Sequence, residues 1–310
     1  MTNHLPLELI QAARARISPR IRRTPQLEVV LDNGQPVSLK LECLQISGSF
    51  KIRGALNTVL GLDDAALKRG LVTASGGNHG MGVATAGAMA GAPTTIYLPK
   101  NTPASKIEKL RKTATKVIVE GDVWDDANAL ALKAAETQGK TYVHPFADLA
   151  VMAGQGTVGL EILEDVPDLD VLLVAIGGGG LISGVASAVK AIKPGIKVIG
   201  IEAVGAPTLK NSVDAGRLVT LDVINTRANT LAPRRSAEIN LNIISDLVDD
   251  ILLVEDEDMQ SAARWLWENC GLGVELSAAA AIAALRSDPA LAKPLGKVGA
   301  IICGAGPDGF

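Results

Sequence analysis

The chain has 310 residues, of which 47% are hydrophobic, 20% charged and only 3% aromatic. That is enough apolar content for a core packed mainly with Ala, Val, Leu and Ile, and it excludes intrinsic disorder and collagen-like structure. Thirty Lys and Arg against 33 Asp and Glu leave a formal charge of −3, without the basic excess that neutralising a phosphate backbone requires, so nucleic acid is not expected as a partner.

The N-terminal end lacks the apolar stretch of a signal peptide. Residues 7–17 have helical spacing. Arg14, Arg16, Arg20, Arg22 and Arg23 give this end a faint likeness to a transit peptide, but Glu8 and the regular spacing make it the first helix of the fold. The three cysteines, Cys43, Cys270 and Cys303, are too few and too scattered for a disulfide framework or a metal or redox pair. They point to a reduced, cytoplasmic location.

Next comes Ser47-Gly48-Ser49-Phe50-Lys51-Ile52-Arg53-Gly54-Ala55, with a lysine at the start of an otherwise apolar helix over 50–60. Most lysines are solvated surface residues. One held among small and apolar residues is costly unless its lowered pKa serves a nucleophile or base. A strand over 72–74 then leads into Ser75-Gly76-Gly77-Asn78-His79-Gly80 and a helix over 79–89. Hydroxyl, amide and N–H donors at the positive end of a helix suit a carboxylate, although the same residues also make a capped turn with no ligand. With only His4 and His144 elsewhere, His79 has no metal-ligand spacing and reads as structural.

Further along, strands are expected over 95–98 and 116–119, and helices over 103–111, 124–137 and 153–163, with Thr102 as the cap of the first helix and Pro103 at its first position. A strand over 171–176 precedes Gly177, Gly178, Gly179 and Gly180, followed by a helix over 181–191, a strand over 197–201, helices over 256–269 and 277–286, and a strand over 300–303. The uncharged stretches 71–99 and 171–189 are broken by glycine and polar residues, so each reads as strand, glycine turn and helix rather than as a membrane span. Short β-branched runs alternating with helices predict an α/β fold of doubly wound, parallel open sheets.

Four glycines between a buried strand and a helix let backbone N–H groups surround a phosphate at the helix N-terminus. A P-loop would continue Gly-Lys-Ser/Thr, but Gly180 is followed by Leu181, Ile182 and Ser183. G-x-G-x-x-G fails too, because the third position falls on Ile182 or Ser183. Nucleotide hydrolysis and hydride transfer are therefore disfavoured.

Together these segments resemble the pyridoxal-phosphate enzymes of the tryptophan synthase β-subunit fold (fold type II), and most closely the serine/threonine dehydratase and serine racemase branch. The likeness runs from Arg23-Thr24-Pro25 and Leu39-Lys40-Leu41-Glu42 through S-F-K-x-R-G-A, S-G-G-N-H, His144-Pro145-Phe146, Ala153-Gly154-Gln155-Gly156-Thr157 and G-G-G-G-L-I-S-G. It implies two open-sheet domains, with 48–145 inserted as the smaller between 1–47 and 146–310, and pyridoxal 5'-phosphate in the cleft between them. It also implies that Lys51 holds the cofactor as a Schiff base, Phe50 packs on the ring, Asn78 bonds the ring hydroxyl, and Gly177 to Gly180 hold the phosphate. By the same likeness Ser75, Asn78 and the neighbouring Gly76 and His79 grip the substrate carboxylate, while Phe146 and Gln155 border its side chain. Cys303, read as closing the last core strand, takes the neutral place at the pyridine nitrogen, where no carboxylate is expected.

The implied reaction is α,β-elimination: the amine of a β-hydroxy amino acid displaces Lys51, the freed lysine removes the α-proton, hydroxide leaves, and hydrolysis gives a 2-oxo acid and ammonia. L-threonine, L-serine or a bulkier 3-hydroxy amino acid fits. Racemases of the branch carry a catalytic serine where this chain has Gly76, which argues against racemisation. Thr230-Leu231-Ala232-Pro233-Arg234 and Cys303-Gly304-Ala305-Gly306 also depart from the family pattern. At the branch's cation site Glu202 matches, but Thr208 replaces the aspartate, so no metal is expected. Rival readings are a β-replacement synthase, which would need a second, nucleophilic substrate, and a non-catalytic protein that binds the cofactor without turnover. A homodimer is the family expectation, and the short stretch after Cys303 implies no effector-binding domain.

Overall fold

The computed structural model describes residues 5–114, 116–288, 291, 296–307 and 309. Its elements begin with α1 (Leu7–Ile17), β1 (Gln26–Val30), β2 (Pro36–Lys40), α2 (Lys51–Leu60), α3 (Asp64–Arg69), β3 (Leu71–Ala74), α4 (Asn78–Ala90), β4 (Thr94–Leu98), α5 (Ala104–Arg111), β5 (Lys116–Val119), α6 (Trp124–Gln138) and β6 (Thr141–Tyr142). They continue with α7 (Leu149–Asp165), β7 (Val171–Ala175), α8 (Gly180–Ile192), β8 (Lys197–Ala203), α9 (Thr208–Asp214), α10 (Glu238–Leu247), β9 (Asp250–Val254), α11 (Asp256–Cys270), α12 (Leu276–Ser287) and β10 (Val298–Ile301).

Two sheets form, one in the order β1-β2-β10-β7-β8-β9 and one in the order β5-β4-β3-β6. Among the described residues every pairing is parallel except the β1–β2 hairpin. Parallel neighbours need a crossover, and the crossover helices cover the sheet faces. Accordingly β3, β4, β7 and β10 are buried at every residue, which is why their sequences are continuous apolar runs rather than alternating ones. The α/β architecture with two open sheets is the one expected.

The arginine-rich N-terminal end is part of this fold. Helix α1 buries Ile10, Ala13 and Ile17, and Arg14 and Arg23 pair with Glu164 and Asp165 at the end of α7. Among the described residues no helix is long and apolar enough to cross a membrane.

Three expectations need correction. Thr102 does not cap α5; Pro103 is the residue before the helix, and its carbonyl accepts from Lys106 and Ile107. The last strand ends at Ile301, two residues before Cys303. From there the backbone leaves β10 and joins the segment before α2: Cys43 N donates to Ile302 O at 2.8 Å, Phe50 N to Cys303 O at 3.2 Å, and Ala305 N to Gly48 O at 2.8 Å. Helix α7 starts four residues earlier than expected, because the Asp148 side chain accepts from Ala150 N and Val151 N.

One helix contact seats the first turn of α2. A Cβ on Gly154 of α7 would stand 2.5 Å from the Arg53 carbonyl and 2.6 Å from Gly54 Cα, so the two backbones touch and no larger residue fits there. Gln155 Oε1 accepts from Gly54 N at 3.1 Å at the same point. The start of α2, which begins at Lys51, is thus fixed against α7.

Candidate active site

In open parallel sheets, ligands bind beyond the carboxyl ends of the strands. The chain places three of its expected segments there: Ser75 to Gly80 after β3, Gly177 to Gly180 after β7, and Cys303 just beyond β10. Lys51 joins them from the first turn of α2. Its Nζ donates to the Pro145 carbonyl at 2.8 Å and lies 5.1 Å from the centroid of the Phe50 ring. Among the described residues it makes no salt bridge. Burial of the ammonium lowers its pKa to about 8, against the opposing pull of Cys303 and Glu275. A lysine so placed is largely charged at neutral pH but yields a neutral amine readily, as a nucleophile or base requires.

Asn78, at the start of α4, turns its amide to Glu275, with Nδ2 at 2.8 Å from one carboxylate oxygen and 3.0 Å from the other. Glu275 N donates to the Gly304 carbonyl at 3.3 Å, and a Cβ on Gly304 would lie 3.0 Å from Asn78 Nδ2 and collide with the Glu275 carboxylate. Cys303 is 5% exposed. Burial pushes its thiol well above the usual range, and the charge of Glu275 adds to that, so the group is a neutral S–H. Glu275 thus brings a carboxylate close enough to act on the Cys303 thiol. Glu275 was missed by sequence reasoning, and the available signal was a lone charge between Leu272 and Leu285 in an otherwise uncharged stretch.

The glycine run requires glycine at each position. A Cβ on Gly177 would collide with the Thr230 carbonyl, one on Gly178 with the Phe146 ring, one on Gly179 would stand 2.9 Å from Leu209, and one on Gly180 2.8 Å from Phe146 Cα. Helix α8 begins at Gly180, so the N–H groups of its first turn have no intrahelical acceptor. A backbone cradle of this kind suits a phosphate. Phe146 therefore lies on the glycine run, one residue beyond the carbonyl that holds Lys51.

The loop after β3 is more mixed. Ser75 Oγ accepts from Gly77 N at 3.3 Å, and a Cβ on Gly77 would meet nothing within 4 Å, so the start of α4 opens onto free space. On Gly76 a Cβ would stand 3.1 Å from the Thr102 methyl and 3.4 Å from Leu98. The His79 side chain points inward: its Nε2 meets the Val143 carbonyl at 2.9 Å, and burial, with Lys51 nearby, lowers its pKa to about 3, which leaves only its backbone amide to the loop. Gln155 is 1% exposed, and its Oε1 is engaged with Gly54 N.

Two residues after Lys51, Arg53 is 0% exposed and anchors a buried ionic network. Its guanidinium meets Glu42 at 2.7 and 2.8 Å, Glu161 at 2.7 and 3.0 Å and Thr157 at 3.1 Å, while Lys40 Nζ reaches Glu161 and the Thr24 carbonyl, each at 2.8 Å. Burial opposes the guanidinium charge, but the two carboxylates outweigh it and raise its pKa.

At the two positions compared with the branch's cation site, the side chains bond to the protein. Glu202 uses its carboxylate to accept from Leu209 N and Lys210 N, each at 2.8 Å, and Thr208 Oγ1 donates to the Pro233 carbonyl at 2.6 Å. Among the described residues no group of three His, Cys, Asp or Glu is placed to hold a metal ion.

Known proteins share this arrangement. A family model described as pyridoxal-phosphate dependent enzyme matches residues 17–304. An L-threonine ammonia-lyase of Geobacter sulfurreducens is 42% identical over 287 residues, which cover 91% of this chain and 71% of that protein. A serine racemase of Oryza sativa subsp. indica is 39% identical over 282 residues, covering 90% and 83% respectively. The solved structure of maize serine racemase superposes with a TM-score of 0.92 at 36% identity, covering 96% of this chain and 93% of that one.

Proposed function

The chain belongs to the pyridoxal-phosphate-dependent enzyme family, and from that premise we propose that it is an ammonia-lyase converting a β-hydroxy amino acid of the threonine or serine class to a 2-oxo acid and ammonia. The observation that carries this reading is Lys51: a desolvated amine without a salt bridge among the described residues, held between Phe50 and Pro145 in a chain 42% identical to an L-threonine ammonia-lyase.

The residues present fit the cofactor. The glycine run from Gly177 to Gly180 offers a phosphate cradle, Asn78 offers an amide at the ring edge, Cys303 a neutral partner, and Lys51 the amine that joins the aldehyde. When bound, pyridoxal phosphate supplies the electron sink that makes the α-proton of an amino acid acidic. Ser75 and the first-turn amides of α4 hold the substrate carboxylate, which fixes the α-carbon relative to Lys51 Nζ. Lys51, once released as a neutral amine, takes the α-proton. Its pKa of about 8 keeps the two protonation states close in energy near neutral pH. We take residues 48–145 as the inserted smaller unit, the enzyme as a cytoplasmic homodimer, and its small-molecule partner as the amino acid.

The similarity to serine racemases favours racemisation as the second reading. Gly76 argues against it, since there is no side-chain hydroxyl at that position to deliver a proton to the face opposite Lys51. A panel of 3-hydroxy amino acids assayed for 2-oxo acid release, with chiral analysis of the remaining substrate, tests both. Elimination is expected to dominate, and D-serine formed from L-serine as fast as pyruvate would overturn the assignment.

A further inference from the structure

Glu275 stands at the start of α12, where an acidic side chain ordinarily caps the helix. Here it makes no capping hydrogen bond with the helix among the described residues. The carboxylate instead turns into the cleft, where both of its oxygens receive the Asn78 amide. Thr230 Oγ1 lies 3.5 Å from one of them. Gly304, the residue after Cys303, leaves the space that the pair occupies, and the Ser49–Gly304 bridge sets this edge beside the turn that carries Phe50 and Lys51.

We propose that Glu275 is a positioning residue for the cofactor ring, holding the Asn78 amide through both carboxylate oxygens and presenting a buried negative charge to the Lys51 cleft. The inference rests on the reading of Lys51 as the cofactor lysine.

A carboxylate only accepts hydrogen bonds, so Asn78 must face it with Nδ2. The reversed amide would set Oδ1 against a negative charge. An asparagine amide otherwise turns freely between two orientations. Glu275 therefore decides which Asn78 atoms meet the ring. Its charge acts on Lys51 in addition. The titratable groups around the Lys51 amine are Glu275, Cys303, His79 and His144; the thiol and both imidazoles are held neutral by burial, which leaves the carboxylate as the charged member of the set. Negative charge favours the ammonium, so its loss moves the lysine midpoint below about 8.

The test is capture of pyridoxal phosphate by cofactor-free protein, followed by visible absorbance as a function of pH. In this step the neutral Lys51 nitrogen forms a C=N bond to the aldehyde carbon and the carbonyl oxygen leaves as water. The cofactor's own ionisations are common to every variant. Wild type is expected to capture with a midpoint near 8. Glu275→Gln should move the midpoint down by about half a unit or more and weaken the dissociation constant roughly five- to tenfold, since a neutral carboxamide no longer holds Asn78 in one orientation. Glu275→Asp keeps the charge and loses the reach, so it should restore the midpoint but not the affinity. Superimposable midpoint and affinity in wild type and Glu275→Gln overturn the proposal. Should Glu275→Gln fail to fold, Gly304→Ala pushes the carboxylate off Asn78, and unchanged cofactor affinity in that variant overturns it equally. Failure of the underlying reading looks different: wild type itself would show no absorbance change, or the cofactor would map to another lysine.

Discussion

Lys51 and Arg53 lie two residues apart on the first turn of α2, both are cations carried inward, and their pKa values move in opposite directions. Arg53 meets Glu42, Glu161 and Thr157 directly and keeps its charge, whereas Lys51 touches a backbone carbonyl and an aromatic face, feels Glu275 only at a distance without a salt bridge among the described residues, and is pulled toward the neutral amine. Burial is common to both, so the difference lies in the partners. A desolvated cation bonded directly to carboxylates becomes part of the scaffold; one that no carboxylate contacts becomes a reagent. The two states are coupled in space, because the network at Arg53 and the Gly54–Gly154 contact fix the helix turn on which Lys51 must be presented.

The largest expected effect comes from the scaffold side. Arg53→Ala leaves the buried Glu42 without its cation and Glu161 with Lys40 alone, a loss of about 3–5 kcal/mol in unfolding free energy. Urea unfolding of the cofactor-free protein measures it. Arg53→Lys should recover only part, since an ammonium cannot make the paired contacts to Glu42 and Glu161. If Arg53→Ala proves neutral, the network is not what seats α2.

Lys51 should behave in the reverse sense. Its folded pKa of about 8 lies below the ordinary lysine value of 10.5, so its contribution to stability is fully present above pH 10.5 and is lost as pH falls through 8. At neutral pH the buried amine costs the cofactor-free protein about 3 kcal/mol. Lys51→Met should therefore abolish 2-oxo acid release while raising the unfolding midpoint, and that gain should shrink as pH rises from 8 toward 10.5. A Lys51→Met protein less stable than wild type at pH 7 would remove the contrast with Arg53.

His79 sharpens the comparison as a third buried base near the same cleft. Its pKa of about 3 against an ordinary 6.5 means that stability is lost as pH falls below 6.5, because the unfolded chain takes up a proton that the folded one refuses. At pH 5 the loss is about 2 kcal/mol. His79→Gln should flatten this acid limb of the pH–stability curve. An unchanged slope between pH 6.5 and 5 would place the acid sensitivity elsewhere.

What could be read in the sequence follows the same physics. The α/β class and the helices around the site were legible because β3, β4, β7 and β10 are buried on both faces and their sequences say so. The β1–β2 hairpin was missed: only one face of β2 is apolar and no residue of β1 is fully buried, and the usable signal was the Asn33-Gly34 turn. Lys51 and both glycine loops stood out because their residue types are costly or unusual where they occur. Glu275 and the role of Arg53 did not, since each depends on pairing across more than a hundred residues, which no local pattern encodes. The partners of Gln155 and His79 were illegible for the same reason. Both lie in site motifs, and the structure pairs them with Gly54 N and the Val143 carbonyl.

The smallest expected effect is at Cys303. Its thiol is buried, neutral and adjacent to Glu275 and Lys51, so it leaves the lysine unpaired while offering a weak S–H at the ring edge. Cys303→Ser replaces one neutral donor by a better one of similar size, and cofactor affinity should hold or rise slightly. Cys303→Ala removes the donor and leaves a small void, a deficit of about 1 kcal/mol, or roughly a fivefold weaker dissociation constant. Neither change alters the charge around Lys51, so the pH midpoint of cofactor capture should stay where wild type has it in both variants. That combination separates Cys303 from Glu275: affinity moves without the midpoint at one, and both move together at the other. Should Cys303→Ala bind the cofactor as tightly as wild type, Cys303 is a packed core residue, and the neutrality that keeps Lys51 reactive rests on the absence of a carboxylate at that position rather than on the thiol itself.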